Sequence, residues 1–472
     1  MWSQTPTDKE VIVSTSIVQR RPSAQEVRTA IRQAPLVAIR ELLPDRQILE
    51  ACRRCGHRFR QRQFDPVVTV LHFVAQGLAR EESFASTWQE LFTPLLAEFP
   101  QVGLAEKDDS GLTHARARLP RQVLEGLARE ACRRGEELPE SRVWGLRLRA
   151  LDCSSVSMPD EPALQRHFGT NRCRTGACRY PLATFACLLS VGTSLIRAWR
   201  LGPFDKGELK TAAPLLDSLG PEDLLLGDRR FAGAGFLAQV RQRQSHFLMR
   251  KHQLLKVEKL PVLRRLGKDD FLTELTVSQQ ARAKDPSLPE KLPVRIFLGT
   301  WKTEAGEKVS EWFVTSLEDA AKYKKGKLAR LYYRRWQIET SYLEFKQLFH
   351  ADVLRSKTVN NIYKELAAHV LAYQLTRQLM VQAAVKHGRE PTRLSFLNAA
   401  RWVVHFSHRM AAAPARRLPA LYQRLLDAIA SCPIDVRPGR LEPRMISRGP
   451  KHYPARRIPR ALWRAQRLKE AA

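Results

Sequence analysis

Up to about residue 140, apolar residues recur every three or four positions. "VVTVLHFVAQGLAREESFASTWQELFTPLLAEF" and "LPRQVLEGLAREACRRG" both carry this spacing, which predicts helices with one buried stripe. "FDP" opens the first of them, with Asp65 able to cap the free amides and Pro66 pre-set for a first turn. From about 143 to 250 the period shortens. "VWGLRLRALD" alternates, with Trp144, Leu146, Leu148 and Ala150 on one face and Asp152 continuing that register at the end of the predicted strand. "RYPLATFACLLSVG" and "SLIRAWRLG" predict two further strands, and "ELKTAAPLLDSLG" a helix closed by Gly220. "DLLLGD" predicts a strand covered on both faces, with Asp228 at its carboxyl end. "GAGFLAQVRQRQ" follows as a helix and "HFLMR" as a short strand, which completes a mixed α/β layer.

Residues 251–310 break this rhythm with short β-like pieces among Pro, Gly and charge clusters, and predict an inserted β-rich unit. Helical periodicity resumes at about 318 and runs to about 430. The tail from Arg437 holds eleven Lys or Arg, two acids and five Pro, a composition expected to stay extended rather than build a core. The expected organisation is a helical region over 1–140, an α/β core split between 141–250 and 311–375 by the insertion at 251–310, and a helical, basic region over 376–472.

Charge narrows the partners. Lys and Arg number 79 against 48 acids in 472 residues, a formal charge of +31 that attracts polyphosphate. The longest nearly uncharged apolar run, "PLATFACLLSVGTSLI", is too short and too polar to span a bilayer, so no membrane is expected. The amino terminus lacks a basic start followed by an apolar core, which predicts cytoplasmic residence and reduced cysteines. The eight Cys are scattered, and "CRRCGH" lacks the second pair of ligands that a tetrahedral zinc site needs. In "HRFRQRQF", Arg58, Arg60 and Arg62 share one side of an extended segment, where a row of phosphates and a solvated basic loop both fit.

The stretch "YYRRWQIETSYLEFK" carries one well-placed acid amid base. As a helix it brings Tyr332, Arg335, Glu339 and Lys346 within an arc of about 60°, beside an apolar stripe of Leu331, Ile338, Tyr342 and Phe345. Alone, this fits an Arg335–Glu339 pair worth about 0.2–0.5 kcal/mol. Asp152 alone fits a turn, and Asp228 alone fits a helix cap. Together, three carboxylates from two strand ends and one helix have the hard oxygen chemistry that two Mg²⁺ or Mn²⁺ ions need, while Arg335 and Lys346 can hold a phosphodiester.

The spacing Tyr332, Arg335, Glu339, Lys346 resembles, without a gap, the Tyr-Arg-Glu-Lys signature of the insertion-sequence-four family of bacterial DDE transposases. "LDCSSVSMPD" and "LLLGDRRF" resemble the segments that hold that family's two Asp, and "EWFVTSLED" resembles the strand leading into the signature. The resemblance covers about residues 55–375; it departs at Arg230, where many members have a small residue. It implies an α/β fold with an RNase H-like catalytic core, a β-rich insertion and flanking helical regions. It also implies Asp152, Asp228 and Glu339 as catalytic metal ligands for two Mg²⁺ or Mn²⁺ ions. Tyr332, Arg335 and Lys346 would contact the terminal phosphate, and Trp312 is the candidate for holding a flipped base, although a core strand aromatic fits that position equally. Arg229, beside Asp228, is a further expected DNA contact, and the amino-terminal region is expected to bind DNA. The implied reaction is cut-and-paste transposition through a hairpin intermediate by a homodimer that holds inverted-repeat ends and target DNA at the bacterial nucleoid. A metal-dependent nuclease or a catalytically dead DNA-binding derivative are the competing readings.

Overall fold

The "FDP" cap forms as expected: Asp65 Oδ1 accepts a hydrogen bond from the Val68 amide at 2.9 Å, and the helix starts on Pro66. The computed structural model describes residues 36–60, 64–78, 86–87, 109–170, 180–302, 308–348, 351–434 and the single positions 462 and 465. Its amino-terminal region contributes α1 (Asp45–Arg54), α2 (Pro66–Leu78), α3 (Asp109–Arg118) and α4 (Arg121–Gly135). Then come β1 (Arg142–Val143), β2 (Leu146–Ser157), α5 (Pro162–Phe168), β3 (Leu182–Ser190), β4 (Ile196–Pro203), α6 (Glu208–Ala212), β5 (Asp223–Gly227), α7 (Ala234–Gln242) and β6 (His246–Arg250). Next are β7 (Arg264–Gly267), β8 (Asp270–Thr276), α8 (Gln279–Lys284), β9 (Lys291–Lys302) and β10 (Lys308–Thr315). The chain continues through α9 (Lys325–Tyr332), α10 (Trp336–Leu343), α11 (Val359–Lys386), α12 (Phe396–Ala411) and α13 (Leu418–Ala430).

Among the described residues ten strands form one sheet, in the order β4-β3-β2-β5-β6-β10-β9-β8-β7 with β1 paired to β2. β2, β3 and β4 are antiparallel neighbours, while β5 lies parallel to β2 and β6 parallel to β5. Three antiparallel strands followed by two parallel ones form the RNase H-like core. The strand expected to end at Asp152 instead runs on to Ser157. The reason is its two partners: β3 pairs with it out to Ser157↔Leu182, whereas parallel β5 stops at Leu151↔Gly227. Asp152 is thus one step past the last parallel pair, in the middle of a longer strand.

The strands of residues 251–310 prolong this same sheet, because β9 pairs with β10 and β10 pairs with β6. Gly299 on β9 lets α9 lie close: a Cβ there would come within 2.7 Å of both Ala329 Cβ and the Phe313 ring. The sheet is covered on both faces, as alternation along each strand demands. Leu148, Ala150, Phe185, Leu224 and Leu248 face one core with α2, α4 and α11, while Leu151, Ala186, Leu225 and Phe247 face a second core under α7. Each fully buried Leu or Phe contributes about 1.5–3 kcal/mol.

α11 is buried at every residue from Lys364 to Val381 and packs against α2, α4 and α13. A helix buried all round must satisfy its polar residues internally. Gln374 does so by accepting from the Ile196 amide at 2.9 Å, and Arg377 by pairing with Glu344.

Candidate active site

The register of β2 and β5 builds the site. Leu151 and Gly227 are Cα partners on parallel strands, so the next residues, Asp152 and Asp228, leave the pair side by side where the parallel pairing of β2 and β5 ends. Both are half-buried. Asp228 also performs the cap anticipated for it, its Oδ1 accepting from the Arg229 amide at 2.6 Å, and Asp152 Oδ1 accepts from the Cys153 amide at 2.8 Å. Burial pushes the Asp152 carboxyl up to about 6; Asp228 and Glu208 add to the rise, and the Cys153 amide and Arg335 oppose it.

The signature stretch is not one uninterrupted helix. α9 ends at Tyr332, a 3₁₀ turn spans Tyr333–Arg335, α10 spans Trp336–Leu343, and a π turn spans Glu344–Leu348. The breaks coincide with side chains tied elsewhere in the fold. The Tyr332 hydroxyl donates to the Gly227 carbonyl at 3.1 Å, directly before Asp228. Glu344, the first residue of the π turn, is buried against Arg377 of α11. Between the breaks, the Tyr342 hydroxyl donates to the Asp152 carbonyl at 2.7 Å, and inside the π turn Lys346 Nζ donates to the Ser155 carbonyl at 2.8 Å. Three side chains of the stretch therefore hang on backbone carbonyls of the two strands that carry the acids. π turns often occur at functional sites.

Arg335 and Lys346 both feel the charge of Asp152. Burial alone would lower the Arg335 guanidinium, and Tyr332, Glu339 and Asp152 outweigh it, whereas burial does hold the Lys346 ammonium below its usual range against Asp352 and Asp152. Glu339 is elsewhere engaged. Its Oε1 accepts from Arg335 at 3.0 Å, one turn away. Among the described residues no group of three or more His, Cys, Asp or Glu is placed to hold a metal ion. The donor chemistry of the Asp152–Asp228 pair nonetheless fits a hard divalent cation, because two adjacent carboxylates, one of which holds its proton more tightly than an ordinary Asp, are relieved by positive charge.

Trp312 is half-buried on β10, opposite Leu298, with its ring 6.5 Å from Phe271 in an edge-on contact. Arg229 is exposed beside Asp228. Arg58 and Arg60 line a cavity of about 250 Å³ in the amino-terminal region with His57, Phe59, Phe64 and Arg118, while Arg62 lies outside the described residues. Cys52 is buried in α1 and Cys55 exposed after it. Tyr342, Glu344, Arg377 and Glu208 carry no such signal in the sequence. Tyr342 stands in the apolar stripe with no sign of a hydroxyl partner, and the others act through contacts between distant segments.

Residues 144–375 match the family model described as Transposase DDE domain. Two acids where a parallel strand pair ends, and a signature stretch bound to the carbonyls of both strands, belong to a DDE transposase, a DNA-cleaving and strand-joining enzyme. Over 429 residues the chain is 26% identical to the transposase InsG for insertion sequence element IS4 of Escherichia coli strain K12, covering 89% of this chain and 94% of the relative. The chain thus carries a DDE transposase domain and is similar over most of its length to a transposase of the insertion-sequence-four element, and transposases with this domain generally use divalent metal ions. A cryo-EM structure of the piggyBac transposase synaptic complex with hairpin DNA covers 84% of this chain and 85% of that one, at 9% identity and a TM-score of 0.41. Among the described residues no helix is long and apolar enough to cross a membrane.

Proposed function

We propose that the protein moves its insertion sequence by cut-and-paste, with Asp152, Asp228 and Glu339 as the catalytic acids. The observation that carries this reading is the Leu151↔Gly227 register, which sets Asp152 beside Asp228 within the field of Arg335 and Lys346. Two Mg²⁺ or Mn²⁺ ions held by the three acids would activate the attacking oxygen and stabilise the leaving one.

The chain's own residues bind and neutralise. Arg335 and Lys346 grip the terminal phosphate of the transposon end, and Tyr332, anchored on Gly227, orients it. Arrival of that phosphate competes for Arg335 and frees Glu339, so that DNA binding completes the acid set. Water attacks the phosphodiester at the end, leaving a 3′ hydroxyl and a 5′ phosphate. The 3′ hydroxyl attacks the opposite strand, closing a hairpin and releasing the flanking DNA. Water reopens the hairpin, and the regenerated 3′ hydroxyl attacks a target phosphodiester. Trp312 receives a flipped base during hairpin formation. Arg229, Arg58, Arg60 and Arg62 bind backbone phosphates. Two copies pair the two ends, and such an enzyme works in the bacterial cytoplasm at the nucleoid.

Glu339→Gln tests the assignment. Cleavage of a labelled transposon end in Mg²⁺ should fall below about a thousandth of the wild-type rate, with end binding kept within about threefold. Retained cleavage would sink the assignment.

A further inference from the structure

The two faces of β2 have different neighbours. Asp152 lies on the face covered by α10, in register with Leu148 and Ala150, whereas Cys153 packs toward the second core. On that other side opens a cleft of about 940 Å³ that reaches Cys153, Ser154, Ser155 and Thr184. Its walls come from three separate parts of the chain. Lys206 and Lys210 flank the start of α6, Arg230 follows Asp228, and His252 and Lys284 belong to the 251–310 segment.

One acid, Glu208, lines the cleft, and it is already used: its Oε2 pairs with Arg230 NH1 at 2.8 Å. Lys206, Lys210 and Lys284 are exposed, and none forms an ion pair among the described residues. The cleft therefore carries uncompensated positive charge. Its lining adjoins the catalytic acids in the chain, since Cys153 follows Asp152 and Arg230 comes two residues after Asp228, in the field of both.

Joining a cleaved end to target DNA needs a second, separate duplex at one set of acids. One duplex brings the 3′ hydroxyl and the other the phosphodiester under attack, with entering and leaving oxygens roughly in line across phosphorus. Arg335, just before α10, and Lys346, just after it, provide one cationic seat. We propose that the cleft on the opposite face of β2 is the second seat and that it holds the strand of target DNA under attack, through phosphate contacts from Lys206, Lys210 and Lys284. Lysine ammonium groups bind phosphate as point charges without reading bases, which suits a target accepted with little regard to sequence. Arg230, tethered to Glu208, marks the inner end of the seat beside the acids. This inference rests on the transposase reading of the preceding subsection.

The experiment uses the full chain with Lys206→Ala, Lys210→Ala and Lys284→Ala combined, and the matching triple change to Arg. Pre-cleaved ends are joined to a supercoiled plasmid, and uncut ends are assayed separately for first-strand nicking and hairpin formation. The Ala variant should join at least about tenfold more slowly, and its plasmid binding should lose about three units of salt slope, one per phosphate contact. Nicking and hairpin formation should stay within about twofold of wild type, and the Arg variant should restore joining. Unchanged joining, an equal fall in nicking and joining, or a loss confined to hairpin formation would each overturn the proposal. A wild-type protein that cuts no end would instead defeat the transposase reading, while the plasmid salt slope would still report on the lysines.

Discussion

The two ends of the β2–β5 strand pair use the same residue types to opposite effect. At the amino end, Arg147 Nε and Arg149 Nε both donate to Asp223 Oδ1 at 3.0 Å, and Arg149 also grips Glu140 through both terminal nitrogens at 2.8 and 2.7 Å. Asp223 is fully buried, and every charge there meets its opposite. At the carboxyl end, a few residues further along, Asp152 and Asp228 lie side by side, and neither forms an ion pair among the described residues. Arg335 is close enough to influence Asp152 yet pairs with Glu339. A closed network stabilises a sheet; an open one keeps an appetite for a ligand. The difference separates structural charge from chemical charge on one pair of strands.

That contrast can be broken at either end. The largest effect belongs to the open end, where Asp152→Asn or Asp228→Asn should cut the rate of end cleavage at least about a thousandfold while the thermal midpoint stays level or rises. A large fall in the midpoint would mean that these acids are structural. At the closed end Asp223→Ala should cost about 3–5 kcal/mol in denaturant unfolding, because Arg147 and Arg149 lose the acid between them, with activity per folded molecule retained.

An intermediate case sharpens the rule. Lys364 is fully buried and forms no ion pair among the described residues: its Nζ donates to the carbonyls of Arg116 and Ala117, at 2.8 and 3.0 Å, at the end of α3. Burial, with Arg116 adding, lowers its ammonium from 10.5 to about 8. Between those values the unfolded chain binds more protons than the folded one, so this group makes stability rise with pH from about 8 to 10.5. Lys364→Met should flatten that rise in a pH series of unfolding midpoints, and an unchanged series would show that the ammonium is not held down. The smallest effect is expected at the exposed rim of the closed network. Arg142 meets Glu222 at 2.9 Å there with both side chains about half exposed, and Glu222→Ala should change stability by less than about 1 kcal/mol.

Much of the core is legible in the sequence. The alternation or short apolar runs at β3, β5 and β6 are local signals, and they place Asp228 at its strand end directly. The same alternation reaches Asp152 but puts it at the end of its strand, because the pairing of β2 with β3 out to Ser157↔Leu182 involves residues far apart in sequence. The signature stretch has the spacing of one helix face. That spacing is local, but the 3₁₀ and π turns coincide with Tyr332 reaching Gly227 and Glu344 reaching Arg377, contacts that no periodicity encodes. The cleft formed by α6, Arg230 and the 251–310 segment leaves no trace in any single stretch of chain.

By itself the sequence determined which residues could do chemistry and which segments would be helix or strand, because residue type, spacing and apolar period act over a few neighbours. Tertiary structure alone decided which charges would be answered. Arg147 meets Asp223 across 76 positions, whereas Asp152 meets a second acid instead, and that outcome follows from the register of two parallel strands, set by how both faces of the sheet pack.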